Sequence, residues 1–371
     1  LKPLCYSPWT NLDIAPRGRI LPCCKFNAES YHNTHNIVDS TIEEYQSSDF
    51  LNTIKDQMLE HKWPKGCERC KIEEQNNILS KRQLDNQRWK EQYKSYTSDD
   101  GFITASIAFG NTCNLKCIMC SPYSSSRWRK EYLDLFGEDI KPLETVTNLA
   151  DVYFPNLIHI DIPGGEPFLS EVEKQKDMLQ KYVNSGQSKS ITLHYTTNAQ
   201  VFPDDSWWEL WKNFKDVEIQ LSIDGIDTAY EYIRYPAVWN TLLKNIDQYQ
   251  STGLVRLSVS HTVSAYNIYY LHEFFDWCYV MDLPTPWCGR ADRPKHMRPT
   301  VWPKSIQQHI SKKLKSSHFP DVKNWGNMLE NNNDSNQYNT FISETARHDE
   351  YRSTSFAKTF PQMEELINGI Q

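Results

Sequence analysis

From Gly101 onward the chain alternates two kinds of apolar run, and this alternation limits its possible folds more than any other feature. Strand-sized runs occur at Ile103–Phe109, Leu157–Ile162, Ser190–Tyr195, Val217–Ile223 and Val255–Val259. Amphipathic stretches at Arg127–Phe136, Glu171–Val183, Trp207–Phe214, Trp239–Tyr249 and Tyr269–Val280 alternate with them. Strands joined through helices pair in parallel, so the pattern predicts an α/β fold with a parallel sheet covered by helices. Five strands are predicted, with a sixth at Pro284–Cys288. An open doubly wound sheet and a partial barrel both satisfy the pattern.

The first hundred residues read differently. Leu12–Ile14 and Arg19–Leu21 flank a Pro16-Arg17-Gly18 turn, the signal of a short hairpin. Ser40–Leu59 reads as a helix opened by Ser40 or Thr41, with Glu43 and Glu44 in its first turn. The expected organisation is a cysteine-rich module over 1–75, a polar helical linker over 76–100, the α/β domain over 101–300 and a C-terminal extension over 301–371. Within the extension only a helix near Phe360–Ile370 is predicted.

The formal charge, 40 − 47 = −7, argues against a general nucleic-acid binder. No apolar run approaches the length of a bilayer span, and no secretory leader is visible. Ten cysteines in such a chain point to a reducing, cytoplasmic setting, where clustered thiols bind metal or do chemistry more often than they pair.

The decisive segment is Cys113-Asn114-Leu115-Lys116-Cys117-Ile118-Met119-Cys120, directly after the first predicted strand. Parallel α/β folds place their active sites at that end of the strands. C-x3-C-x2-C offers three thiolates, one short of the four that saturate a cubane cluster, which leaves one iron open. Zinc is the competing reading, but closed zinc sites take four ligands and no fourth Cys or His follows closely. This motif on the first strand resembles the signature of the radical S-adenosylmethionine superfamily, with Met119 where an aromatic residue is common. The resemblance implies a partial (β/α)6 radical SAM barrel. It also implies a [4Fe–4S] cluster on Cys113, Cys117 and Cys120 that binds the amino and carboxylate groups of S-adenosylmethionine.

Later strand ends support it. Gly164-Gly165-Glu166-Pro167 follows the second strand; the glycines permit close backbone approach, and Glu166 offers an acceptor for an ammonium group. Thr196-Thr197-Asn198 and Ser222-Ile223-Asp224-Gly225 close the third and fourth strands, and each is also ordinary turn chemistry. By resemblance, Asn198, Ser222 and Asp224 contact the ribose and methionyl end, and Arg234 pairs with the methionyl carboxylate, a task suited to a guanidinium. His261 reads as structural and Cys278 as core. Adenine contacts stay unassigned.

Cys5, Pro22-Cys23-Cys24 and Gly66-Cys67-Glu68-Arg69-Cys70 supply thiolates from three segments. Their spacing fits structural zinc and an iron–sulfur cluster equally. Their order, around a hairpin and a helix, resembles the SPASM/twitch auxiliary-cluster module, here placed before the radical domain as in phage-type twitch-domain radical SAM proteins. The resemblance implies an auxiliary iron–sulfur cluster on Cys5, Cys23, Cys67 and Cys70, with Cys24 as a spare or substitute.

By the same resemblance the protein cleaves S-adenosylmethionine to a 5′-deoxyadenosyl radical that takes hydrogen from a substrate, a peptide or protein being favoured. An electron donor such as flavodoxin or ferredoxin is implied, and neither a membrane nor a nucleic acid is expected as partner. A phage-encoded protein would work in the host cytoplasm. A radical enzyme acting on a nucleotide, sugar or other small molecule is the first alternative. A non-catalytic zinc protein is the second, and it leaves the placement of Gly164-Gly165-Glu166-Pro167 without a purpose.

Overall fold

The computed structural model describes residues 3–31, 35–97, 101–141 and 153–369. Residues 98–100 of the expected linker and Ile370 of the expected C-terminal helix lie outside them. Six parallel strands form the barrel wall: β3 (Thr104–Ile107), β4 (His159–Ile162), β5 (Thr192–Thr197), β6 (Asp216–Ser222), β7 (Arg256–Val263) and β8 (Trp287–Arg290). The five expected strands are present within a few residues. The sixth begins at Trp287 rather than Pro284, because Pro284 and Pro286 have no N–H to give a ladder.

The hairpin of β1 (Asn11–Ile14) and β2 (Ile20–Leu21) is not a separate sheet. β1 pairs in parallel with β3, Asn11 opposite Thr104 and Ile14 opposite Ile107, so the order is β2-β1-β3-β4-β5-β6-β7-β8. The same N-terminal module also reaches the opposite edge. Lys25 Nζ lies 5.2 Å from the Trp287 ring of β8. Glu73 accepts from the Arg290 backbone at 3.3 Å, and Arg69 pairs with Glu73 at 3.3 Å and Asp292 at 3.5 Å. The module therefore bridges the gap between the first and last barrel strands.

Strand alternation gives the sheet two unlike faces. Leu12, Ile107, Ile160, Leu193, Ile219 and Val259 share one, buried in the main core under the helices. In register across the other run Asp13, Ser106, Asp161 and His194, and beside them Glu218 and Ser258. That polar face is internally paired: Asp161 with His194 at 2.7 Å, and Glu218 with Arg88 at 2.9 Å and Ser258 at 2.9 Å. Arg88 ends the helix Lys81–Arg88, so this part of the expected linker packs on the polar face.

Two other expectations are corrected. Ser40–Leu59 is two helices, Ile42–Gln46 and Asp49–Leu59. The break falls where Ser48 turns its hydroxyl to cap Leu51 N at 3.2 Å, since a serine there favours a new N-cap over continuation. The C-terminal extension is mostly helical over its described length, with helices Lys304–Lys315, Pro320–Asn331, Tyr338–Arg352 and Pro361–Asn368 joined by short turns. Trp325 and Phe341 of these helices, and Phe360 just before the last, are buried in the same core as the barrel.

Candidate active site

The three central cysteines lie on the loop between β3 and the helix Trp128–Phe136. Leu115 and Ile118 bury their side chains, which turns the thiols the other way. The loop backbone is fastened to the end of the helix Asp227–Ile233: Lys116 N donates to Tyr235 O at 2.8 Å and Ile118 N to Ile233 O at 2.7 Å. Trp128 Nε1 donates to Cys117 O at 2.9 Å, and Ser125 Oγ to Leu115 O at 2.5 Å. All three thiols face a cavity of about 730 Å³. Donors approach their sulfurs: Leu115 N lies 3.4 Å and Asn198 Nδ2 3.8 Å from Cys113 Sγ, and an Arg234 guanidinium nitrogen lies 4.0 Å from Cys117 Sγ. Burial pushes the thiols up, Cys117 to about 11 and Cys120 to about 12, against the pull of the Arg234 charge.

Gly164 and Gly165 complete the wall, both with positive φ, +94° and +52°. A Cβ at Gly165 would lie 2.3 Å from Thr112 O, so only glycine lets this turn rest on the backbone just before Cys113. Glu166 N donates to Thr112 O at 2.8 Å and fixes the contact. The Glu166 carboxylate itself is buried away from the cavity wall. It accepts from Thr197 Oγ1 at 2.7 Å and Asn198 N at 2.9 Å. Burial raises its pKa to about 7 despite these bonds.

Asn198, Ser222, Asp224 and Arg234 also line the cavity. Asp224 Oδ2 pairs with Arg234 at 2.6 Å, and its Oδ1 accepts from Thr262 N at 2.6 Å. Arg234 keeps a buried Nε without a hydrogen-bond partner. Such a cradle of thiols, N–H donors, close backbone and a positive charge suits an anionic iron–sulfur group and a zwitterionic ligand beside it.

One group of residues escaped sequence reasoning. Glu131, fully buried, binds Lys116 at 2.6 Å, His348 at 3.1 Å and Arg352 at 2.7 Å. Arg352 also donates to Lys116 O at 2.8 Å. His348 and Glu344 of the same C-terminal helix line the cavity. His348 and Arg352 lie more than 200 residues from Glu131 and leave no local spacing to read.

In the N-terminal module Cys5, Cys23, Cys67 and Cys70 line a second, small cavity with Lys25, Lys81 and Arg82. Cys24 is not in its wall and is exposed. Burial, reinforced by the neighbouring cysteines, raises Cys23 and Cys67 strongly. Four thiols flanked by three cations suit a negatively charged thiolate cluster, with Arg82 held by Glu74 at 2.5 Å.

Comparison with known proteins agrees with this arrangement. Residues 107–278 match the family model described as the Radical SAM superfamily, and residues 5–71 match SPASM, an iron-sulfur cluster-binding domain. Among solved structures, anSMEcpe with bound AdoMet is 14% identical over 57% of this chain and 59% of that one, with a TM-score of 0.41. SuiB of Streptococcus suis bound to its precursor peptide SuiA is 16% identical over 69% and 47%, with a TM-score of 0.35. The chain thus spans less than two thirds of the length of either. No curated protein matches it. No described helix is long and apolar enough to cross a membrane.

The chain therefore carries a radical SAM domain over residues 107–278 and, before it, an iron–sulfur cluster-binding domain of the SPASM type over residues 5–71. A radical SAM domain is one built for a [4Fe–4S] cluster and S-adenosylmethionine, and a SPASM domain is one that binds auxiliary iron–sulfur clusters.

Proposed function

We propose that this protein reductively cleaves S-adenosylmethionine and removes a hydrogen atom from a peptide or protein substrate, with the auxiliary cluster taking part in the oxidation. The observation that carries the reading is the convergence of Cys113, Cys117 and Cys120 with the Gly164-Gly165 turn and the Asp224–Arg234 pair on one cavity. When bound, the cluster supplies one electron to the sulfonium, and cleavage then yields methionine and a 5′-deoxyadenosyl radical.

The chain's own residues supply position and electrostatics. Cys113, Cys117 and Cys120 would hold the cluster by three thiolates, one fewer than saturates it. Arg234, charged and fixed by Asp224, offsets the negative charge of the thiolates and faces the ligand's carboxylate. Asn198 and Ser222 offer amide and hydroxyl groups to the ribose and methionyl end. Glu166, held between Thr197 Oγ1 and Asn198 N at the end of β5, is the proposed acceptor for the ligand's ammonium group. Cys5, Cys23, Cys67 and Cys70 hold the auxiliary cluster. The peptide preference rests on the class of auxiliary-cluster enzymes.

The test is anaerobic purification, an iron and zinc count, and assay of 5′-deoxyadenosine with dithionite and S-adenosylmethionine. Two four-iron clusters give about eight irons per chain, and Cys117→Ala halves the iron and abolishes cleavage. Zinc without iron, and no 5′-deoxyadenosine, would overturn the reading. Incubation with deuterium-labelled peptide pools reads the substrate: deuterium in 5′-deoxyadenosine supports a peptide, and its transfer only from small metabolites removes that part.

A further inference from the structure

Outside the linings of both cysteine cavities, the helix Leu271–Val280 places His272 and Asp276 one turn apart, on one face. Opposite them, the turn between Lys304–Lys315 and Pro320–Asn331 presents His318. Asp276 is gripped from both sides: its Oδ2 lies 3.2 Å from His272 Nε2 and its Oδ1 3.7 Å from His318 Nε2. One ligand atom from each of the three residues falls within 4.8 Å of the others. Metal–ligand bonds of 2.0–2.1 Å put tetrahedral ligands about 3.3 Å apart, so only a small closure of the His318 side is needed.

The surroundings favour ligation over a plain ion pair. His272 Nδ1 meets Ser317 Oγ at 2.7 Å, and that hydroxyl is itself held by Phe319 N at 3.1 Å. An oxygen on the far nitrogen is how metal-binding imidazoles are oriented, leaving Nε2 for the ion. The two imidazoles stand perpendicular with centroids 5.3 Å apart, and the Phe319 ring lies 3.9 Å from that of His318. Two imidazoles and one carboxylate suit zinc and its neighbours better than magnesium or calcium. The His318 side chain is 68% exposed, so water can fill the remaining position.

We infer that His272, Asp276 and His318 form a binding site for a divalent ion of the zinc class, which clips the C-terminal helical hairpin to the barrel. The clip joins an interface already tied by Lys313 to Glu273 at 2.6 Å and to Tyr269 O at 2.9 Å. Beyond the hairpin the chain enters the helix Tyr338–Arg352, which carries Glu344 and His348 to the active-site cavity. The ion therefore steadies that helix without touching the reaction.

The experiment uses iron-loaded holoenzyme titrated with zinc against a chromophoric chelator. The comparison proteins are His318→Ala, Asp276→Asn and Ser317→Ala, none of which lines a cysteine cavity. One zinc per chain is expected beyond the iron. His318→Ala and Asp276→Asn weaken it at least ~100-fold, and Ser317→Ala weakens it ~10- to 100-fold, the usual effect of losing an outer-sphere partner. Iron content stays the same in all of them. Cobalt in place of zinc should give ligand-field bands without the thiolate charge-transfer absorption that misloaded cysteines would show. Zinc should raise the melting temperature of the wild type and not of His318→Ala. Equal zinc affinity in wild type and variants, or no zinc bound at tens of micromolar, would overturn the proposal.

Discussion

Glu131 shows how much one buried carboxylate can organise. Burial works to raise its pKa, yet His348, Arg352 and Lys116 more than reverse this and hold it at about 2, against an ordinary 4.5. A depressed folded value means that the stabilisation is complete above about 4.5 and is lost as pH falls towards 2. The shift corresponds to about 3 kcal/mol at neutral pH. Glu131→Gln should therefore lower stability at pH 7 by roughly 3 kcal/mol or more, because two cations lose their partner. It should also flatten the acid limb between pH 4.5 and 3. Urea unfolding of cluster-free protein across that range reads both effects, and an acid limb unchanged in the variant would refute the assignment. Gly165 makes a sharper geometric case. Gly165→Ala drives a Cβ into Thr112 O, beside Cys113, and displacement of about 1 Å there can cost ~10²-fold in rate. Gly137 also has positive φ but nothing within 4 Å of its Cβ, so Gly137→Ala should cost only backbone strain and leave 5′-deoxyadenosine formation intact. Gly165 was legible in the sequence because its motif is contiguous. Glu131 was not, because its partners His348 and Arg352 are brought to it only by the fold.

At the scale of elements, the barrel strands were readable because each is a short apolar run closed by turn residues, with a helix before the next. The C-terminal helices were not. Tyr338–Arg352 is largely polar and buries only Phe341, Thr345, His348 and Arg352, too few to stand out as a stripe. Yet this helix closes the cysteine loop from outside: Arg352 grips Glu131 and Lys116 O, and its guanidinium lies 5.0 Å from the Trp128 ring. Removing that grip should loosen the loop more than the barrel. Arg352→Met keeps much of the side-chain volume and removes the charge. Amide exchange over 113–120 should then accelerate while β5 and β6 keep their protection, and affinity for S-adenosylmethionine should fall. Equal acceleration throughout would instead mean a general loss of stability, and no change over 113–120 would remove the helix from any part in the site.

At the scale of the whole molecule, what the sequence presents as two modules is built on one sheet. The spacing of Cys5, Cys23, Cys67 and Cys70 announced a metal site, but nothing in it said that β1 would pair with β3 or that Arg69 and Glu73 would reach β8. Pairing partners of a strand are set by the tertiary fold, and the hairpin's own alternation is the same whether or not it is paired at its edge. The consequence is mechanical. Ala108 N donates to Ile14 O at 2.9 Å and Ile103 N to Thr10 O at 3.0 Å, so the ladder runs into the strand that leads to Cys113. The N-terminal cysteines and the central ones should then be lost together. Leu12→Pro removes an N–H within β1 and places a ring in the ladder, at a cost of about 3 kcal/mol or more. If the sheet couples the modules, the variant loses iron from both sites, its unfolding stays a single transition at lower temperature, and cleavage of S-adenosylmethionine falls with the iron. If they fold independently, it keeps about four irons and undiminished cleavage, with only the auxiliary cluster missing. Iron per chain measured beside 5′-deoxyadenosine yield separates these outcomes, since only coupling through β1 and β3 makes a change at Leu12 empty the site of Cys117.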